Sequence, residues 1–547
     1  MLSTLLSRIP RLKLSLPSLA IIVAVYFATV MNYPVIAKIF QLSQSVPHIW
    51  FPYTAPALLF FCFLIIFAIL AIPYLFKPLI AFIVLTSASA LYAAVNFHTL
   101  FDSAMMENVF ETNASEASSY LSVTSVLYLL LFGVIPTLFI FWVKVVPQKS
   151  WARAVITRAA LVLVGVAGIL MIAATSYKDY ASVGRNNKYL NKMITPAHLY
   201  YAVRYLDKTY FTPQLAYKPQ GTDAKLLPTQ NGKPTLMVVV LGETARAMNF
   251  AYNGYERDTN PYTKDLGLIS FQHVSSCGTY TALSVPCMFS NLNRDNYNAR
   301  RAQAQDNALN IIQHAGVDIL WVDNDGGDKG VAKKLPYVAI DGKLRDQQCN
   351  GTTCFDAVML NQAKQFIAKD NNSKLLVLHT IGSHGPTYWQ RYPNQDGLFT
   401  PACNRADIEK CSDKEITNVY DNTLVYTDYV LAKVVDELKS YSDQYNVAMM
   451  YISDHGESLG EKGLYLHGTP YAIAPTEQTH VPWLMWLPNQ YAQQKGLDTQ
   501  CIGQEASRNQ YSHDNLFHSL IGFYGVETSV KDNAMDVTQN CRLTVNS

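Results

Sequence analysis

Charge is scarce in this chain of 547 residues. Only 15% of it is Asp, Glu, Lys or Arg, against roughly a quarter in soluble domains. The 43 basic and 41 acidic residues nearly cancel, leaving a formal charge of +2, too small for a nucleic-acid partner. No CxxC spacing occurs, which argues against a cysteine-rich metal site. A Gly/Ser or Pro-rich flexible linker is also lacking, as is any internal repeat. At this length one ordinary domain is not enough.

The missing charge is concentrated in five windows that contain none. They are Leu16–Ala37, Pro52–Ile72, Pro78–Phe97, Leu121–Val143 and Ala159–Thr175. A bilayer crossing takes about 20 apolar residues, so the first third of the chain reads as a five-helix transmembrane bundle. The first window is too long for a cleaved signal peptide and has no small-residue cleavage site before a polar chain. Basic residues mark the cytoplasmic side. Arg8, Arg11 and Lys13 precede the first window, Lys77 follows the second, and Lys144, Lys149, Arg153 and Arg158 follow the fourth. The other two loops carry only Lys38 or are acidic. The amino terminus is therefore expected in the cytoplasm, and everything after about residue 176 outside it.

Eight of nine cysteines lie in that exported part, and Cys62 alone lies in a window. Proximity suggests Cys277–Cys287, Cys349–Cys354 and Cys403–Cys411, leaving Cys501 and Cys541 as a fourth pair. Eight cysteines allow 105 pairings, so proximity is a preference only. An oxidising compartment suits such usage.

Three domains follow: residues 1–176 in the membrane, 177–232 as an interfacial bridge, and 233–547 as a compact outer domain. The stretch Tyr177–Tyr217 holds eight tyrosines among Lys and Arg, a mixture that favours the bilayer interface. In the acidic loop Phe101–Tyr120, helical spacing puts Asn108, Thr112 and Glu116 on one face. From Lys233 onward, strand-like runs (Thr235–Leu241, Val317–Val322, Lys374–Leu378, Ala448–Ile452, Val481–Leu487) alternate with helix-like ones (Ala304–His314, Ile416–Lys439, Asn515–Tyr524). Such alternation predicts an α/β sandwich around a mostly parallel sheet.

Two of those strand-like runs end in metal-ligand residue types. The run from Leu236 ends at Glu243, and the run from Met449 ends at Asp454-His455-Gly456, where the glycine is expected to permit a sharp turn. A third segment, Cys277-Gly-Thr-Tyr-Thr281-Ala-Leu-Ser-Val-Pro-Cys287, presents Thr281 in a loop braced by its two cysteines. Parallel strands deliver such ends to one sheet edge, where α/β enzymes place their chemistry. Carboxylate and imidazole suit a catalytic zinc, and a metal can activate a threonine hydroxyl. Taken singly, Asp-His-Gly is a common turn and Glu243 an ordinary helix-start residue.

Four strings in order, Val240-Leu-Gly-Glu243-Thr-Ala-Arg246, Cys277–Phe289, His379-Thr-Ile-Gly-Ser-His384-Gly-Pro and Ser453–Gly463, resemble the lipid A phosphoethanolamine transferases, including the mobile colistin-resistance enzymes, of the alkaline phosphatase superfamily. The resemblance covers essentially the whole chain. It implies an α/β sandwich of alkaline phosphatase/sulfatase type and a monomeric enzyme of the bacterial inner membrane with a periplasmic catalytic domain. It also implies that Thr281 attacks phosphatidylethanolamine, carries the headgroup as a phosphothreonine and passes it to a lipid A phosphate. Glu243, Thr281, Asp454 and His455 match primary zinc ligands. His384 and His467 match histidines that stabilise charge, protonate the leaving oxygen or hold a second Zn2+. Asn108, Thr112, Glu116 and Lys329 match headgroup-binding residues. Gly326 stands where the family often has serine, which puts a hydroxyl contact there in doubt. His379 and His480 are weaker candidates, and His480 is expected to pack. Added ethanolamine ammonium groups on lipid A would weaken the binding of polymyxin and colistin.

Rival expectations are a sulfatase, for which Met288 stands where arginine is needed, a glycerophosphate or phosphoethanolamine transferase acting on another envelope glycan, and a non-catalytic polytopic receptor.

Overall fold

A computed structural model describes residues 11–43, 49–112, 114–148, 150–345, 347–393 and 397–543. Arg8 and Lys149, used above for orientation, lie outside them. The chain forms two compact units, one of residues 1–106 and 121–209, the other of 107–120 and 210–547. The aromatic-basic stretch to residue 209 thus groups with the apolar helices, whereas the acidic loop from Glu107 to Tyr120 groups with the α/β unit.

Among the described residues of the first unit, four helices are long and apolar enough to cross a bilayer: Phe51–Leu70, Phe76–Asn96, Val123–Trp142 and Trp151–Asn186. Their outward side chains, such as Leu138, Ile156, Leu163 and Leu170, are exposed and apolar, as lipid contact requires. The first window is not one straight helix. It is a pair, Leu16–Met31 and Tyr33–Leu42, bent by 54°, and the bend falls at Asn32. Buried Asn32 donates to the carbonyls of Phe27 and Thr195 and accepts from the Thr195 N–H. Its amide supplies partners that a broken helix in an apolar medium would otherwise lack. The last helix runs to Asn186, well past the expected end at Thr175, because polar residues that close a hydropathy window do not stop a helix.

The second unit is built on seven strands, numbered here β1 to β7: Thr235–Gly242, Ile269–Phe271, Asp318–Asp323, Tyr337–Ala339, Lys374–His379, Asn446–Ser453 and Trp483–Trp486. Their order is β2-β7-β6-β1-β5-β3-β4. The run from β6 to β4 is parallel, and β7 is antiparallel to both of its neighbours. The central strands β1, β5 and β6 are buried along their whole lengths, which accounts for their unbroken apolar runs. The two edge strands, three residues each, are too short to show a sequence period. The expected helix Ala304–His314 starts only at Ala308, where Asn307 forms a capping box, and Ala299–Gln303 is a separate short helix before it. Four disulfides close this unit: Cys277–Cys287, Cys349–Cys354, Cys403–Cys411 and Cys501–Cys541.

Candidate active site

Register builds the site. Gly242 of β1 pairs with Ser453 of β6, and Leu241 pairs with His379 of β5, which in turn pairs with Asp323 of β3. The next residue along each strand leaves the same carboxyl edge, so Glu243 and Asp454 emerge side by side. The turn after β1 is tight: Thr244 adopts φ +52°, and its N–H donates to Asp454 Oδ1. Gly382 is required beside it, since a Cβ there would sit 2.7 Å from the Glu243 carbonyl oxygen. Gly456 is also required, but not for the sharp turn expected from Asp-His-Gly. Its φ lies outside the left-handed region, and a Cβ would collide with the Glu477 carbonyl oxygen at 2.1 Å.

Thr281 is the first residue of the helix Thr281–Met288, whose positive end favours anionic groups. Its Oγ1 lies 3.2 Å from each Glu243 carboxylate oxygen and 3.4 Å from His455 Nε2. The structure thereby brings Thr281, Glu243, Asp454 and His455 together, all buried. His455 Nδ1–H donates to the Gly456 carbonyl at 3.0 Å, leaving Nε2 to face Asp454 Oδ2 at 3.2 Å and Glu243 Oε1 at 3.4 Å. Burial, with the charge of His467 second, pushes the imidazole well below its ordinary pKa.

These residues fit a divalent cation. Glu243, Asp454 and His455 can each aim one donor atom into a space in which all lie within 4.8 Å of one another. Among the described residues, buried Asp454 Oδ2 has no hydrogen-bond partner. Burial and then the neighbouring Asp454 raise the Glu243 carboxyl well above its usual range, and burial raises Asp454 to about 6. Two ionised carboxylates at such a distance call for a counter-cation.

Around this core stand His384 and His467, with ring centroids 5.4 Å apart, and His467 is 4.6 Å from the His455 ring. His467 Nδ1 contacts buried Glu457 at 2.8 Å. His384 donates Nδ1–H to the Gly385 carbonyl, and its Nε2 lies 3.5 Å from Glu116. Burial opposes charge on Glu116, but its contact with His384 prevails and holds the carboxyl down to about 2. Asn108, Thr112 and Glu116 do not share one continuous helix. The chain breaks between Ser103–Glu111 and Ala114–Ser119, with the Thr112 hydroxyl donating to the Asn108 carbonyl and lying 3.5 Å from Glu116. Lys329, at φ +47°, lies where burial disfavours its charge and Asp325 restores it, with a net rise in pKa. His480 is structural: its Nε2 bonds to the Gln272 carbonyl.

The sequence pattern did not single out Asp323, Asp325, Asp356, Glu457 or His513. Asp356 accepts from the Ile381 and Gly382 N–H groups and so holds the turn that carries His384. Buried His513 accepts from the Cys277 N–H and reaches the Ser453 carbonyl with its other nitrogen, joining the Thr281 loop to the end of β6. Burial pushes its pKa down to about 4. Replacing His513 by alanine is expected to leave both backbone groups unpaired and to destabilise this unit by about 2–4 kcal/mol. Thermal unfolding of the purified variant measures this. Of these residues, only Asp323 had a legible signal, a carboxylate closing a strand-like run.

A hydroxyl at a helix start, facing buried carboxylates and an imidazole at the carboxyl edge of this sheet, defines an alkaline phosphatase-type group-transfer enzyme, here on a chain with membrane-spanning helices. Residues 235–526 match the sulfatase family model and 59–210 that of phosphoethanolamine transferase EptA/EptB. The chain is 39% identical to Escherichia coli K12 phosphoethanolamine transferase EptA, over 97% of this chain and 98% of that protein. It is 34% identical to the Escherichia coli phosphatidylethanolamine transferase Mcr-1, over 93% and 95%. Its structure superposes on the integral membrane lipooligosaccharide phosphoethanolamine transferase A of Neisseria meningitidis with TM-score 0.93 and 37% identity, covering 98% of this chain and 100% of that one. The chain belongs to the phosphoethanolamine transferase family.

Proposed function

We propose that this enzyme moves phosphoethanolamine from phosphatidylethanolamine to a lipid A phosphate through an ester on Thr281, lowering susceptibility to colistin. The observation that carries this is the Thr281 hydroxyl at a helix start, within hydrogen-bond reach of both Glu243 oxygens. In the first step Oγ1 gives its proton to Glu243 and attacks the donor phosphorus, the bond to the diacylglycerol oxygen breaks, and that oxygen takes a proton from His384 or His467. In the second an oxygen of the acceptor phosphate attacks the same phosphorus, the Thr281 oxygen leaves and recovers its proton from Glu243, and the histidine is reprotonated by the acceptor phosphate or water. Glu243 receives the hydrogen bond of the Thr281 hydroxyl and orients it along the attack. Asn108, Thr112, Glu116 and Lys329 contact the headgroup, the carboxylate suiting the ammonium and the lysine the phosphate.

Glu243, Asp454, His455 and the Thr281 oxygen would hold a zinc ion, which when bound neutralises the carboxylates and makes the hydroxyl a better nucleophile. The basic flanks of the apolar helices support an amino terminus in the cytoplasm and a periplasmic catalytic unit. Four disulfides favour the same compartment.

Mass spectrometry of lipid A from cells expressing the protein tests the acceptor. Added phosphoethanolamine supports lipid A; its appearance on another envelope glycan instead assigns that acceptor.

The Glu116–His384 pair gives a pH prediction. Burial lowers the His384 pKa and Glu116 raises it, with a net rise. Removing the charge in Glu116→Gln should lower that pKa and move the alkaline limb of the kcat profile to lower pH. For stability the sign is opposite to that of a raised group. Glu116 drops from 4.5 to about 2, so its contribution is present above about 4.5 and lost as the pH falls toward 2. Denaturation profiles of wild type and variant should converge at the acid end.

A further inference from the structure

Next to the Glu243–Asp454–His455 set, the same sheet edge holds a second group. Glu243, Asp325 and His379 can also each offer one donor atom within 4.8 Å of the others. His379, at the end of β5, is fully buried. Its Nδ1 lies 2.8 Å from Asp323 Oδ1. Asp323 is itself fixed, its other oxygen accepting from the Gly326 and Gly327 N–H groups at 3.0 and 2.7 Å. A carboxylate so placed accepts a hydrogen bond from Nδ1–H and leaves the Nε2 lone pair free to face outward, the arrangement that orients metal-bound imidazoles. Among the described residues that Nε2 has no hydrogen-bond partner, and it lies 3.6 Å from Asp325 Oδ2. Asp325 also lines a cleft of about 240 Å³ with Asp323, Glu116, His384 and Arg391.

We infer that Glu243, Asp325 and His379 form a second divalent-cation site, with Glu243 shared between the two sets and Asp323 as the positioning residue. One imidazole with two carboxylates suits zinc, manganese or a similar transition ion. This set is separate from His384 and His467. It rests on the reading of Glu243 as a metal ligand.

Metal counting on the full-length, detergent-solubilised protein tests it, with zinc supplied after chelation and excess removed. Asp325→Asn and His379→Gln should each lose one equivalent of zinc relative to wild type, and Asp454→Asn should lose a different one, so that Asp325→Asn/Asp454→Asn loses both. An unchanged count in folded Asp325→Asn and His379→Gln overturns the inference and leaves His379 as an imidazolium between two aspartates. An unchanged count in Asp454→Asn would instead overturn the first site. Should the variants not fold, anomalous scattering from wild-type crystals grown with zinc decides: a peak among Glu243, Asp325 and His379 is expected, and no peak there overturns the inference.

Discussion

Replacing Thr281 by alanine is expected to lower phosphoethanolamine transfer by a factor on the order of 10³ or more, the scale on which loss of a nucleophile acts. Three features make this site sensitive. Oγ1 is held 3.2 Å from each oxygen of one buried carboxylate, it heads a helix, and the loop before it is closed by Cys277–Cys287. Removing the hydroxyl abolishes the first and leaves the helix and the closed loop undisturbed, so donor binding should persist while turnover is lost. Thr281→Ser keeps the hydroxyl and should retain measurable transfer. Diacylglycerol release from a phosphatidylethanolamine analogue in detergent reads both. Alanine activity close to wild type would mean that Thr281 is not the nucleophile.

Stripping the metal should have an effect of similar size on activity and a second one on stability. Glu243 and Asp454 are both buried, and each carboxyl is pushed up by burial. A bound cation favours their ionised forms, so chelation should leave the pair holding a proton and the Thr281 hydroxyl unactivated. A ligand that binds only the folded state at about 1,000 times its Kd adds roughly 4 kcal/mol, so chelation should lower the melting temperature by several degrees. Zinc readdition should restore both. Asp454→Asn should resist that rescue, because loss of a ligand exceeds the ~10–100-fold affinity cost of losing an outer contact. A melting curve indifferent to chelator would contradict the metal reading.

Much of this site is legible in sequence because register converts linear pattern into proximity. Three buried runs ending in Glu243, His379 and Asp454 lie on adjacent parallel strands, so their ends share one edge whatever the intervening loops do. Thr281 is readable from the composition and paired cysteines of its loop, although its distance to Glu243 is not. Residues that only brace the site left no pattern. His513 and Asp356 act through backbone groups far away in sequence, and a lone histidine or aspartate carries no period. In the membrane unit the bend at Asn32 lies within a run that carries no charge to mark it. The link from Asn108 to Glu116 follows helical spacing in sequence yet crosses a break between two short helices. Asp325 carries no pattern of its own: three residues past the expected strand end, it faces His379 from beyond the end of the neighbouring strand.

The most direct measurement is peptide mass spectrometry of the wild-type protein, acid-quenched after incubation with phosphatidylethanolamine and no acceptor. Phosphoethanolamine should appear on the peptide containing Thr281 and disappear when lipid A is added before the quench. An adduct on another residue, or headgroup transfer to lipid A with no adduct at any time point, would contradict a covalent relay through Thr281.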